Sequence, residues 1–100
     1  MVDTDVTASV EYAVDHLKTA LIVVLGHSGC GAVTATIDLL ASADGEPAEV
    51  IELLSRIEPA VIGIGDDVPR KERIDQGVNN NIRLAVRKLG RVPDLRRSPC

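Results

Sequence analysis

The stretch Leu21-Ile22-Val23-Val24-Leu25-Gly26-His27-Ser28-Gly29-Cys30-Gly31-Ala32-Val33 decides how this 100-residue chain is read. Five consecutive apolar residues without polar alternation predict a strand over 21–25 that is covered on both faces, as in a parallel sheet. Gly26, Gly29 and Gly31 then predict a sharp turn, since glycine adopts positive φ without a Cβ clash. Ala32 and Val33 open a helix. His27 and Cys30 stand inside the turn, at the carboxyl end of the strand, where open α/β sheets place their ligand sites.

Working outward, Val6, Val10, Ala13, Val14 and Leu17 recur at helical spacing and predict an amphipathic helix over 5–17, capped by Asp3 or Thr4. His16 falls in its last turn and reads as a surface residue. Beyond the turn, a helix over 32–41 is rich in Ala, Ile and Leu. Ser42 to Pro47 reads as a loop, and Pro47 suits the first turn of the next helix. That helix, over 48–57, carries Val50, Ile51, Leu53, Leu54 and Ile57 toward a core. Pro59 interrupts or bends it. A long helix over 70–89 carries Ile74, Val78, Ile82, Ala85, Val86 and Leu89 on one stripe, and Gly90 marks its end.

The expectation is therefore one α/β domain over 1–100, with four helices flanking a single convincing strand. That arrangement has a physical problem. A fully apolar strand cannot stand alone, because its backbone amides and carbonyls would be buried without partners. Either another chain supplies strands, or the sequence is part of a longer domain. Val61-Ile62-Gly63-Ile64 is the only other strand-like run, and it is weaker.

Composition bounds the function. The chain is 45% apolar with Tyr12 its one aromatic residue, so its core is built from Val, Leu, Ile and Ala. A net charge of −4 argues against nucleic acid as a partner, although Arg83, Arg87, Lys88, Arg91, Arg96 and Arg97 gather near the end. That cluster reads as a solvated helix face or a subunit contact. No apolar run approaches the ~20 residues that cross a bilayer, and the acidic first residues do not suit a signal peptide. Two cysteines make no disulfide framework, so a reduced, cytoplasmic protein is the expectation.

Several chemistries can be tested on the turn. Gly26-His27-Ser28-Gly29-Cys30 nearly spells a hydrolase nucleophile elbow, but Cys stands at its last Gly and no histidine lies downstream to act as base. A phosphate-binding loop fails because no Gly-Lys-Ser/Thr follows the glycines. A Cys–His nucleophilic pair lacks an obvious orienting Asn or Asp. His-x-x-Cys does put an imidazole nitrogen and a thiolate on one side of a turn, and zinc accepts both ligand types. The helix N-terminus after Cys30 favours negative charge there. Two ligands do not complete a zinc site, so spacing alone leaves a metal role and a purely structural role both open.

Gly26-His27-Ser28-Gly29-Cys30-Gly31-Ala32-Val33 resembles the zinc-binding segment of β-class carbonic anhydrases. Ala8 to Val14 is similar to the family's preceding helix. Ile57-Glu58-Pro59-Ala60-Val61 and the long helix with Asn81-Ile82-Arg83 fit as well, so the resemblance covers most of the chain. It implies an α/β domain with a mainly parallel sheet, assembled as a homo-oligomer. It also implies zinc as cofactor, with His27 and Cys30 as two of its protein ligands, and the reversible hydration of carbon dioxide to bicarbonate. The family's further Cys, in a Cys-x-Asp-x-Arg motif on an earlier strand, has no counterpart upstream of His27, and a final strand is missing too. The chain thus reads as an internal segment of a carbonic anhydrase, with no catalytic residue beyond the two ligands and with activity alone left open. Cys100 reads as a spectator rather than as the replacement ligand. The alternatives are a non-catalytic module that pairs with a partner chain carrying the missing strands, and a binding or regulatory protein in which His27 and Cys30 are structural.

Overall fold

Asp3 starts the first helix: its carboxylate accepts the Val6 N–H at 2.9 Å, satisfying one of the amides that a helix N-terminus leaves without partners. In the computed structural model, which describes residues 2–41 and 45–92, this helix is α1 (Thr4–His16). It is followed by α2 (Gly31–Ala41), α3 (Ala48–Ser55), α4 (Glu58–Val61) and α5 (Arg70–Gly90). The helices over 5–17, 32–41 and 70–89 are thus found within a residue of their expected bounds. Pro47 stands as the residue just before α3.

The expected helix over 48–57 divides at Ser55, and the cause is Pro59. Proline has no N–H to donate to the Ser55 carbonyl four residues back, and its ring crowds that same carbonyl. The chain instead tightens, with Arg56 N–H on the Leu53 carbonyl and Ile57 N–H on that of Leu54. It restarts as α4, with Pro59 in the first turn, where the missing N–H has no helical acceptor to lose. Val61, read as the start of a weak strand-like run, closes this helix.

The core lies where α2, α3, α4 and α5 meet. Val33, Ile37, Leu54, Ile57, Ala60 and Val61 form one buried cluster, with Ile74 and Val78 of α5 packed on it. The approach of α5 is set by Gly77. A Cβ there would stand 2.7 Å from Val33 Cγ1 and 2.9 Å from Val61 Cγ1, so only glycine allows this spacing. Asn80 of α5 donates to the Ala60 carbonyl at 2.9 Å, and Arg70 pairs with Asp38 of α2 at the surface. On the long-helix stripe Ala85 and Leu89 are buried, while Val86 is exposed.

Two expectations are corrected. The helix over 5–17 does not bury its apolar face: α1 has no buried residue, and only its Val10, with Val2 ahead of it, joins the small cluster around Ala85 and Leu89. The expected strand over 21–25, and with it the parallel sheet, is not formed. The described residues contain helices and no strand, and no backbone hydrogen bond joins 21–25 to another segment among them. Leu21, Val23 and Leu25 are 76%, 64% and 85% exposed. The physical reason is the one anticipated from the sequence. A strand exists through its ladder, and the described residues provide no second strand to pair with.

Candidate metal centre

Segment 21–25 delivers the glycine turn onto α5. Gly26 is the contact point, because a Cβ there would meet Ile82 Cδ1 at 2.6 Å and Val78 Cγ1 at 2.8 Å. The backbone therefore lies directly against the helix. Gly29 turns the chain with φ +64°, a conformation that strains other residues. Cys30 follows immediately before α2, and its carbonyl accepts both the Thr34 N–H at 3.0 Å and the Thr34 hydroxyl at 2.8 Å. The thiol-bearing residue is thus anchored as the half-buried first link of a helix. It sits at the helix end whose dipole favours anionic groups.

His27 is exposed, and its Nδ1 lies 3.1 Å from the Ser28 carbonyl. In the tautomer that donates Nδ1–H to that carbonyl, Nε2 carries a bare lone pair. This is the arrangement that metal-bound histidines use: one ring nitrogen is held by a backbone or carboxylate acceptor and the other ligates. His27 and Cys30 line the same pocket of about 130 Å³. Val24 and Leu25 bound it on one side, and Val78, Asn81, Ile82 and Ala85 of α5 on the other. Sequence periodicity marks Val78, Ile82 and Ala85 as a core stripe but does not reveal that they wall this pocket. Only the close approach at Gly26 brings them there.

The donor types suit zinc, but the set is short. Catalytic zinc takes three protein ligands and leaves a fourth position for water. Among the described residues, no three His, Cys, Asp or Glu side chains come together to hold a metal. His16 does not join His27; it stacks edge-on against Tyr12 with ring centroids 4.5 Å apart. Cys100 lies outside the described residues. No described helix is long and apolar enough to cross a membrane.

An exposed apolar segment, a glycine turn carrying His27 and Cys30, and a helix packed behind it make up the candidate site. Comparison with known proteins gives its family. The chain belongs to the β-class carbonic anhydrases, whose family model, described as carbonic anhydrase, matches residues 1–98. Among characterised relatives, the carbonic anhydrase of Mycolicibacterium smegmatis is 42% identical over 62 residues, covering 62% of this chain and 30% of the relative. Carbonic anhydrase 2 of Mycobacterium tuberculosis is 36% identical over 77 residues, covering 76% of this chain and 37% of the relative. The chain therefore spans about a third of the length of these relatives. No solved structure matches it.

Proposed function

We propose that this chain contributes His27 and Cys30 as two ligands of a zinc ion in a carbonic anhydrase centre that interconverts carbon dioxide and bicarbonate. The observation that carries this reading is that both donors line one small pocket, with His27 Nδ1 beside a backbone carbonyl and Nε2 left for a metal. Zinc, when bound, makes a hydroxide nucleophile available near neutral pH. The chain's own part is to hold the donors and shape the cavity. Ser28 fixes the His27 ring, Cys30 is anchored at the start of α2, and Val24, Val33, Val78 and Ile82 give the cavity an apolar lining that suits a small uncharged substrate. None of these wall residues is assigned a proton-transfer role.

The third protein ligand lies outside the described residues in this reading. Segment 21–25 indicates the route by which it arrives. Its unpaired backbone, flanked by exposed apolar side chains, is the edge on which a further strand would add, creating the α/β sheet and bringing a donor beside Cys30. The additional polypeptide is another copy or a chain that supplies the missing strands. A second reading makes the chain a non-catalytic module that pairs with such a partner, with His27 and Cys30 structural. The incomplete donor set favours it.

Elemental analysis separates the two. One zinc per chain in the purified protein, lost in Cys30→Ala and His27→Ala while helix content is retained, is the expected result and leads to carbon dioxide hydration assays. A folded preparation that stays free of zinc after incubation with the metal overturns zinc binding by this chain and its own copies and favours the structural reading.

A further inference from the structure

A second and larger cavity lies on the other side of Asn81 and Ala85 from the His27–Cys30 pocket. It is a cleft of about 570 Å³ between the start of α1, the turn after α3 and the C-terminal half of α5. Among the described residues, four cationic side chains line it, Arg56, Arg87, Lys88 and Arg91, against the single carboxylate of Asp3. The chain as a whole carries a net charge of −4, so this concentration of positive charge runs against its composition. Arg56 is already engaged, at 3.6 Å from Asp3 and 3.3 Å from Glu52. Arg87, Lys88 and Arg91 form no ion pair among the described residues. Three uncommitted cations, two in the last turn of α5 and one just after it, lining one concave wall, raise the local concentration of anions. Two of them are guanidinium groups, whose planar donor forks match phosphate oxygens. Tyr12, the chain's one aromatic residue, is not in the wall, so no aromatic side chain is there to stack on a base or ring.

We propose that this cleft binds a compact phosphate anion bearing several charges, the diphosphate group being the best match to three cations, through Arg87, Lys88 and Arg91. Binding is independent of zinc and is measured on the metal-free chain.

The probe is inorganic pyrophosphate, titrated by calorimetry into the full 100-residue chain at constant ionic strength set with sodium chloride. Saturable binding is expected. It should weaken at least about tenfold in Arg87→Gln/Arg91→Gln, the worth of one lost charge-assisted hydrogen bond. A comparison variant, Lys71→Gln/Arg83→Gln, removes the same charge at two exposed positions that do not line the cleft and is expected to change affinity less than about twofold. Both cleft arginines are exposed, so the fold should tolerate their loss. If circular dichroism shows otherwise, Lys88→Gln alone replaces the double variant, with about a threefold loss expected. Absence of saturable binding, or equal weakening in the cleft and the Lys71/Arg83 variants, overturns the proposal, because the second result assigns the affinity to diffuse charge.

Discussion

Asp3 links the start of α1 to the turn after α3. The Val6 N–H and, less strongly, the Arg56 guanidinium hold its carboxyl below the ordinary 3.8. A carboxyl with a lowered folded-state value stabilises the fold above its ordinary range, and that contribution is lost as pH falls through the folded value. Helix content should therefore fall on acidification from about pH 5 to pH 2 partly through Asp3. Asp3→Asn, which keeps a capping oxygen but cannot titrate, is expected to flatten that component of the circular dichroism titration. An unchanged titration in the variant would show that the cap does not govern α1. The cap was legible in the sequence, because Asp before an apolar helical period is a local signal. The exit from the same helix was not. Lys18 takes φ +57°, a left-handed conformation in which glycine is usual, and Thr19 N–H then reaches back to the Ala13 carbonyl. Nothing about lysine announces that.

At the scale of elements, spacing along the chain set the helices and glycine set their packing. The break at Ser55 follows from Pro59 alone and needs no tertiary contact. Gly77 is different, since within a helical sequence it reads only as a weak point. Its role emerges from Val33 and Val61, each 1% exposed and with no room to retreat. Gly77→Ala gains helix propensity of about 1 kcal/mol, against overpacking of about 1–3 kcal/mol. A net loss of about 0–2 kcal/mol is expected by urea denaturation. A stabilised variant would mean that α5 can shift away from α2 and α4 without penalty. Gly26 acts in the same way on the pocket, where the turn backbone touches Ile82 and Val78.

For the whole molecule, the governing feature is apolar surface left uncovered. Segment 21–25 is exposed, α1 touches the body through few residues, and the radius of gyration of 15.5 Å exceeds the ~13 Å of a compact domain of this size. An unpaired apolar edge is a template for association. Leu21→Lys/Val23→Lys should leave the stability of the isolated chain within about 0.5 kcal/mol, because both positions are exposed. The same change should reduce self-association in sedimentation velocity. A large loss of stability instead would mean that these side chains are buried within a single copy.

The sequence by itself determined the helices over 5–17, 32–41 and 70–89 to within a residue of their ends, the glycine turn, His27 and Cys30 as the candidate pair, and the family. It also determined that an apolar run at 21–25 needs a partner. These are local properties: periodicity, capping, turn chemistry and motif spacing act within a few residues. The tertiary structure decided which surfaces meet. It brought α5 against the turn at Gly26, made Val78, Asn81, Ile82 and Ala85 the far wall of the pocket, and gathered Arg56 with Arg87, Lys88 and Arg91 around one cleft. It also left 21–25 without a ladder, because strand hydrogen bonds are made between segments and the described residues offer no second strand.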